Sequence, residues 1–422
     1  MKLITVDDLA DPVFSEKARE ILSERANLPI EFSIDGILEF ARNTSDVPVV
    51  RDQELENNLE SFLKEADKNG ALSEAGKKLL AMEFAGFIIQ RSRLENLISL
   101  NPEIRDIEIK EPIIIAGIPR SGTTNLSNIM ANDSRLRALS FWESATPFPP
   151  KEGNGLDNLT KEQLVEFGQQ ALAGIYEVMP MAKFMYDISF DDAMEELCFM
   201  AISGCPCMHM TSTLTPNWNR WFYNEMDPLP MYQRMKQSLQ AMNWLQGGEK
   251  RWVLKTPHQL GFLKTLTKVF PESHLIITHR DPASSTVSNA TMNAYSLRNT
   301  NSKPNPKHGY QTAIDMADGM IGGLVRDFDE LTASSITDIH FPDYMADVMG
   351  TLEKTYHKIG LPFTEQARGE MQAYIDAHPR GRHGGRLTYN SKRDFGVSRE
   401  HIRSRYQAYI DKFSIRVEQD HA

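Results

Sequence analysis

Residues 117–124 have the types and spacing that bind a phosphate group. Gly117, Gly122 and Thr124 match the phosphate-binding loop G-x-x-x-x-G-K-[ST] of enzymes that use ATP or GTP, but Thr123 stands where that loop has lysine. Backbone N–H groups at a helix N-terminus would still surround an anion. Side chains that could add donors are Arg120, Ser121, Thr123 and Thr124. Without the lysine, the loop fits an anion of lower charge than a γ-phosphate, such as a sulfuryl group attached to a phosphate.

A second anion site is indicated by the stretch HLIITHRDPASSTVS. Arg280 follows an apolar strand, Pro282 ends that strand, and Ser288 lies on the helix that follows. A guanidinium fork matches phosphate oxygens, so an arginine with a hydroxyl along the next helix forms a separate phosphate clamp. Two such sites on one sheet predict a nucleotide phosphorylated at two places.

Candidate catalytic groups follow a third strand, in WVLKTPHQL, and the helix after the first loop. Lys255 could neutralise charge on the bridging oxygen of a leaving group. His258 is a candidate general base because its free pKa lies near neutrality. Glu143, in LSFWESATPFPP, is the rival base, and the residues leave the choice open.

Cys205, Cys207 and His209 alternate as C-P-C-M-H, which raises the question of a metal site. Zinc sites usually have a fourth ligand and C-x₂₋₄-C spacing, so buried inert thiols are favoured and we expect no metal. The acidic run 191–197, DDAMEEL, is interpreted as a solvated helix face.

Composition limits the function classes. The chain has 422 residues and a formal net charge of −11, which argues against a nucleic-acid binder. It has three cysteines, an acidic N-terminus without a secretory signal pattern, and no apolar run of membrane-spanning length. We therefore expect a soluble cytoplasmic protein that makes no contact with a membrane.

Strands that alternate with helices predict an α/β fold with a P-loop-like central parallel sheet flanked by helices and a helical N-terminal extension. Residues 1–105 have helical periodicity and form the predicted N-terminal region, with residues 106–422 as the main domain. The predicted strands lie in DIEI, in the apolar run ending at Gly117, in 251–257 and in 274–282. Ten of twenty methionines fall in 179–235, which predicts either an adaptable acceptor pocket or ordinary helix packing. Residues 378–396 are predicted to form a mobile loop.

The chain resembles sulfotransferases that use 3′-phosphoadenosine 5′-phosphosulfate, in the bacterial branch related to carbohydrate and small-molecule sulfotransferases. PRSGTT (119–124) is similar to the family's 5′-phosphosulfate loop, and RDPASSTVS (280–288) to its 3′-phosphate site. The likeness runs from the first strand to the C-terminus and includes the helical N-terminal region. It implies that residues 120–124 hold the 5′-phosphosulfate and that Arg280 and Ser288 hold the 3′-phosphate. A basic loop that covers the nucleotide would correspond to Arg382, His383, Gly384 and Arg386.

One departure from the family's sequence pattern affects the choice of the general base. Relatives often have K-[ST]-P-x-H-L, whereas this chain has Gln259 at the histidine position and His258 one residue earlier. On a helix a shift of one residue turns the side chain by about 100°, which favours Glu143 over His258 as the general base but does not decide between them.

The implied reaction is in-line transfer of a sulfuryl group to a hydroxyl of a small, lipophilic acceptor, without a metal. The alternatives are a nucleotide or small-molecule kinase, which would need a loop lysine and Mg²⁺, and a non-catalytic nucleotide-binding module. The identity of the acceptor and the oligomeric state are open.

Overall fold

The computed structural model describes residues 2–69, 71–149, 160–186, 189, 192–248, 250–379 and 381–419. Residues 187, 188, 190 and 191 of the predicted acceptor segment, and residue 380 of the predicted covering loop, lie outside the described residues. The strands are β1 (Lys2–Ile4), β2 (Ile113–Gly117), β3 (Leu136–Arg137), β4 (Arg251–Lys255), β5 (His274–His279), β6 (Ser335–His340) and β7 (Gly385–Leu387).

Helices occupy most of the remaining described chain. The α-helices are α1 (Glu16–Ala26), α2 (Ile34–Thr44), α3 (Gln53–Lys68), α4 (Glu74–Leu100), α5 (Thr123–Ala131), α6 (Phe141–Ala145), α7 (Lys161–Val178), α8 (Ala182–Met185), α9 (Leu197–Ala201), α10 (Pro216–Asn224), α11 (Leu229–Gln246), α12 (Leu263–Val269), α13 (Pro282–Ser296), α14 (Pro306–Asp327), α15 (Phe341–Ala346), α16 (Val348–Lys358), α17 (Glu365–Ala377), α18 (Ser391–Phe395), α19 (Arg399–Arg405) and α20 (Gln407–Lys412). Short 3₁₀ helices cover Pro102–Asp106, Cys207–Ser212, Pro257–Gly261, Leu297–Asn299 and Phe328–Glu330.

The central sheet has the order β3-β4-β2-β5-β6, and all of its strand pairs are parallel. Every residue of β2 is buried, as the continuous apolar run predicts for a strand covered on both faces. In register, Ile115 lies opposite Lys255 of β4, and Gly117 lies opposite Thr278 of β5. The α/β fold with a parallel sheet is therefore confirmed. The carboxyl ends of β4, β2 and β5 lie next to one another at one edge of the sheet. The strand order switches sides there, because β4 lies on one side of β2 and β5 lies on the other.

The N-terminal region is mainly helical, as predicted: it contains four α-helices of 11 to 27 residues, α1 to α4. Ser15, Ser33, Asp52 and Ser73 each accept a hydrogen bond from a backbone N–H in the first turn of the helix that follows. Phe62 of α3 packs edge-on against Trp218 of α10, with ring centroids 5.1 Å apart. The apolar faces of these helices thus join the same core as the sheet. Of the helices in the described residues, none combines the length and the hydropathy that a membrane span requires.

Two predicted features differ from the structure. DIEI is not a strand, although Ile109 is buried. The Gln240 side chain donates a hydrogen bond to the Ile107 carbonyl, which a neighbouring strand would otherwise bond. The stretch 378–396 is not a loop throughout, because it contains β7 and α18, and β7 pairs in parallel with β1. Neither β3, β6 nor this small sheet was expected from periodicity.

Candidate functional site

The loop after β2 turns sharply before α5 begins at Thr123. Arg120 (φ 68°) and Gly122 (φ 93°) both adopt the left-handed region, which is unusual for the arginine. A Cβ on Gly122 would lie 3.2 Å from the Phe341 ring, so the space is narrow as well. The buried Ser121 hydroxyl bonds the Ile118 carbonyl and the Thr278 hydroxyl, each at 2.6 Å. The loop conformation is thereby fixed, and the first N–H groups of α5 have no intrahelical partners.

Residues that follow β5 contact this loop directly. One guanidinium nitrogen of Arg280 donates to the Arg120 carbonyl at 2.6 Å, and Arg120 Nε donates to Ser288 Oγ at 3.2 Å. Ser285 Oγ donates to the Pro119 carbonyl at 2.5 Å. The Arg280 guanidinium stacks on the Phe341 ring, 4.1 Å from its centroid. The two stretches predicted to bind separate phosphates therefore contact each other directly.

Lys255 brings an ammonium to the first loop from the neighbouring strand. Its side chain is 3% exposed, and Nζ donates to Thr124 Oγ1 at 3.3 Å and to Glu195 Oε1 at 2.7 Å. Glu195 keeps 22% of its side chain exposed. The site therefore contains a fixed cation although Thr123 replaces the loop lysine, and it places an accessible carboxylate beside that cation.

Glu196 is a buried carboxylate that organises the end of β4. The Lys255 N–H donates to both of its oxygens at 3.0 Å, and the Thr256 hydroxyl and the Gln259 amide donate to Oε2 at 3.0 and 3.3 Å. Burial raises the pKa of Glu196 to about 7 against the effect of these donors. The interpretation of 191–197 as a solvated helix face is wrong for Glu195 and Glu196. Asp191 of that run lies outside the described residues.

Glu143 is held by structural contacts. It forms a capping box with Ser140 at the start of α6, accepting from the backbone N–H and the hydroxyl at 2.9 Å. Its other oxygen accepts from Arg137 at 2.8 Å and from Gln246 at 2.7 Å. Four donors on one buried carboxylate favour a structural role, and catalysis by Glu143 stays a prediction.

His258 lies in an aromatic cluster. Its Nδ1 is 2.5 Å from the Tyr223 hydroxyl, and its ring packs on Tyr223 and edge-on against Phe222. The residue is 3% exposed, and burial lowers the pKa of the imidazole to about 4. At neutral pH the ring is uncharged and is a weak base, and its catalytic role also stays a prediction.

The predicted covering loop lies beside α8. His383 packs edge-on against Phe184, with ring centroids 6.3 Å apart, and Arg386 is exposed on β7. Gly384 has φ 83°, which ends the turn before that strand, and Arg382 lies within this turn. The contacts of this loop with α8 and β1 place it next to the start of the acceptor segment.

The cysteine and methionine patterns correspond mainly to packing. Cys205 Sγ lies 3.3 Å from Met226 Sδ, Cys207 Sγ lies 3.6 Å from Met200 Sδ, and burial raises the pKa of both thiols. His209 packs among Phe62, Phe84 and Phe87. Within the described ranges, no three His, Cys, Asp or Glu side chains come together in a way that could hold a metal ion. Six methionines of the 179–235 segment belong to the core, namely Met179, Met185, Met200, Met210, Met231 and Met235.

Comparison with known proteins identifies the family. The model of the sulfotransferase family matches residues 112–365, which include the loop, β4, β5 and β6. The chain belongs to the sulfotransferase family. Among solved structures, it is similar to the sulfotransferase STF9 from Mycobacterium avium, with a TM-score of 0.79 and 20% identity over 93% of this chain and 100% of that one. It is also similar to the sulfotransferase STF1 from Mycobacterium tuberculosis H37Rv, with a TM-score of 0.74 and 21% identity over 89% of this chain and 98% of that one. No curated protein matches.

For this sulfotransferase family member, sequence reasoning missed Glu195 and the residues that surround Arg280 from the C-terminal side. Glu195 lies in an acidic run that the sequence did not distinguish from a solvated surface, and its contact with Lys255 joins positions 60 residues apart. Arg403 and Glu418 meet Asp281 and Arg280 from positions more than 120 residues later, and local sequence spacing carries no sign of those contacts.

Proposed function

We propose that the protein transfers a sulfuryl group from 3′-phosphoadenosine 5′-phosphosulfate to the hydroxyl of a small lipophilic acceptor. Family membership supports the sulfotransferase activity. The observation that carries the choice of donor is the convergence on one loop: Lys255 reaches Thr124 at 3.3 Å, and Arg280 reaches the Arg120 carbonyl at 2.6 Å. A donor with one phosphate at each end of the ribose fits cations on both sides of β2.

In this proposal the loop holds the 5′-phosphosulfate through the free N–H groups of α5 and the side chains of Arg120, Ser121, Thr123 and Thr124. Gly122 gives the loop its turn. Arg280 and Ser288 hold the 3′-phosphate. The donor set fits these groups, since its charged members are cations and its hydroxyls can donate. The loop with Arg382, His383, Gly384 and Arg386 covers the nucleotide from the side of α8.

The transfer step needs a base, a cation and alignment. The acceptor oxygen forms a bond to sulfur while the bond from sulfur to the bridging phosphate oxygen breaks, and adenosine 3′,5′-bisphosphate leaves with that electron pair. Lys255 neutralises the charge that develops on the bridging oxygen, and the loop donors neutralise the sulfuryl oxygens. Positioning and electrostatics account for most of the acceleration, as in phosphoryl transfer.

Glu195 is the base that the geometry supports best. Its carboxylate is 2.7 Å from Lys255 Nζ, the cation proposed to lie at the leaving group, and part of it is accessible to an acceptor. The Glu143 carboxylate already accepts four hydrogen bonds, and His258 is enclosed by aromatic rings. The acceptor proton would pass to Glu195.

An apolar acceptor is supported by the surroundings of the loop. Tyr186, at the end of α8, is close enough to Arg120 for the guanidinium to influence its phenol, although burial dominates and raises the pKa of Tyr186. Phe184 of α8 contacts the proposed covering loop at His383. Aromatic side chains beside a charged transfer site suit a phenol or a long-chain alcohol.

Calorimetric titration tests the donor. The protein is titrated with adenosine 3′,5′-bisphosphate and, in parallel, with ATP and Mg²⁺. We expect the bisphosphate to bind and ATP–Mg²⁺ to bind far more weakly, and we expect Arg280→Ala to weaken bisphosphate binding by at least about tenfold, as for loss of a charge-assisted bidentate contact. Binding of ATP–Mg²⁺ without binding of the bisphosphate would refute this donor assignment.

A further inference from the structure

Arg280 forms an ion pair with a carboxylate of the protein itself, that of Glu418. Its Nε and one terminal nitrogen donate to the two oxygens of the Glu418 carboxylate at 2.6 and 3.0 Å. This is the bidentate fork geometry with which arginine also binds phosphate oxygens. Glu418 also interacts with the Ser284 hydroxyl, in the first turn of α13, at the N-terminal end of the helix that carries Ser288. The Glu418 carboxylate is therefore bound to the Arg280 guanidinium, the group that we propose binds the 3′-phosphate.

The backbone of Glu418 is anchored separately from its side chain. Its N–H donates to Asp281 Oδ2 at 3.0 Å, and its carbonyl accepts from Arg403 at 2.7 Å. Asp281 is itself buried and also accepts a hydrogen bond from Arg403 at 2.8 Å. The carboxylate can consequently leave Arg280 by rotation of side-chain torsions, while the 415–419 segment stays attached to the body of the protein.

The carboxylate is charged at neutral pH. Burial acts to raise the pKa of Glu418, but the hydrogen bonds and charge of Arg280 outweigh burial and hold it below its ordinary value. Its side chain is 27% exposed and that of Arg280 is 17% exposed, so solvent can replace the contact when it opens.

We propose that Glu418 is a built-in competitor for the 3′-phosphate: it pairs with Arg280 when the nucleotide site is empty and must release it when a 3′-phosphorylated nucleotide binds. This inference rests on the proposed function. It deepens that function, because the intramolecular carboxylate lowers the affinity for the donor and, equally, for the product adenosine 3′,5′-bisphosphate. A competitor tethered at the site returns to Arg280 as the product leaves, which favours release.

The test compares two nucleotides in two variants. Glu418→Gln removes the negative charge and keeps the side-chain shape. Glu400→Gln is the matched control, because Glu400 is an exposed carboxylate on α19 that lies 3.9 Å from Arg403. Each protein is titrated with adenosine 3′,5′-bisphosphate and with adenosine 5′-phosphate, which lacks the 3′-phosphate. We expect Glu418→Gln to bind the bisphosphate about tenfold more tightly, as when a state that is occupied about nine-tenths of the time is removed. Its affinity for adenosine 5′-phosphate should be unchanged, and Glu400→Gln should behave as the wild type with both nucleotides.

The other outcomes would overturn the inference. Unchanged or weaker bisphosphate binding in Glu418→Gln would mean that Glu418 does not compete, and equal tightening of both nucleotides or an equal effect of Glu400→Gln would indicate a general charge effect. If the wild type binds the bisphosphate and Glu418→Gln makes no difference, only this inference fails. If neither protein binds it, the proposed donor fails as well, so the two failures are distinguishable.

Discussion

At position 123 the loop carries a hydroxyl where a kinase loop carries an ammonium, and Lys255 of β4 brings an ammonium to the adjacent Thr124. The two positions differ in what the cation can reach. The lysine of a kinase loop contacts the terminal phosphates of a nucleoside triphosphate. Lys255, in contrast, is paired with Glu195 and lies at the first turn of α5. In the proposed function, this arrangement binds one phosphate with one attached sulfuryl group, and Glu195 and Lys255 act together.

We predict that Glu195→Gln lowers the turnover number about 10²- to 10³-fold, since a positioned general base contributes in this range. The affinity for adenosine 3′,5′-bisphosphate should change little, because Lys255 and the loop remain. The measurement is the initial rate of sulfuryl transfer from labelled donor to the best acceptor in a panel of phenols and long-chain alcohols, with nucleotide binding by calorimetry.

Glu143→Gln is the control for this prediction and should retain most of the turnover. If Glu195→Gln is as active as the wild type while Glu143→Gln or His258→Phe loses activity, the base assignment made from the sequence is right and the assignment to Glu195 is wrong.

His258 leads to a prediction about pH. Burial lowers the pKa of its imidazole to about 4, whereas an unfolded histidine titrates near 6.5. Below about pH 6.5 the unfolded chain therefore binds a proton that the folded protein excludes, and stability is lost as the pH falls. We expect the wild type to lose about 2 kcal/mol of unfolding free energy relative to His258→Phe between pH 7 and pH 5.

Urea unfolding of both proteins at the two pH values measures this difference, and the other titrating groups cancel because both chains contain them. The loss of the Tyr223 contact in the variant adds an offset that is the same at both pH values. A difference that does not depend on pH would mean that His258 accepts its proton inside the fold.

The residues that could be predicted from the sequence are those whose signal is local. Gly117 to Thr124 and Arg280 to Ser288 are contiguous stretches, each placed by one strand and the next helix. Glu195 meets Lys255 across 60 positions, and Glu418 meets Arg280 across 138. Such pairs arise from tertiary packing, so no spacing rule could have found them.

At the scale of elements, the buried strands were predictable and the edges were not. β2, β4 and β5 are short apolar runs because helices cover both faces of the sheet. The edge strand β6 has exposed and half-buried positions, and β3 has only two residues, so neither has a distinctive period. β1 and β7 are three residues each and depend on each other across the whole chain.

The N-terminus of helix α6 contains a capping residue, Glu143, that the sequence alone also allows as a catalytic base. Glu143 follows Ser140 by three residues, the spacing of a capping box, and it also neutralises Arg137. We predict that Glu143→Ala lowers the free energy of unfolding by about 3 kcal/mol, because a largely buried guanidinium and a helix end lose their partner together.

Urea titration measures this loss, and Glu16→Ala, an exposed acidic residue in the first turn of α1, should cost less than about 1 kcal/mol. A small cost at Glu143 with a large loss of turnover would instead mark that carboxylate as functional.

For the molecule as a whole, a formal net charge of −11 coexists with a candidate site that contains three cationic side chains. Arg120, Arg280 and Lys255 lie at the carboxyl ends of the adjacent strands β2, β5 and β4, and Arg280 and Lys255 are paired with Glu418 and Glu195. The acidic composition predicts that the protein has no general polyanion-binding surface, yet composition could not indicate where the basic residues gather. That position follows from the order of the strands.

The predicted division at residue 105 raises a question about cooperativity. Residues from both sides of it belong to one buried cluster, which includes Ile37 of α2, Leu59 of α3, Ile114 of β2 and Ile277 of β5. Polar contacts also cross it, such as Arg91 to the Ile202 carbonyl at 3.1 Å. We therefore predict that residues 2–105 and the sheet domain unfold in a single transition.

The tryptophans make this measurable, because all five lie beyond residue 105: Trp142, Trp218, Trp221, Trp244 and Trp252. Urea unfolding followed by tryptophan fluorescence reports the sheet domain, while circular dichroism also reports the four N-terminal helices, and we expect the two midpoints to coincide. Ile37→Ala, a truncation of a fully buried side chain in α2, should cost about 3 kcal/mol and shift the fluorescence midpoint as far as the circular dichroism midpoint. Loss of helical signal at a lower urea concentration, with the fluorescence transition of Ile37→Ala unchanged, would show instead that the N-terminal helices fold as a separate unit and that the nucleotide site does not depend on them.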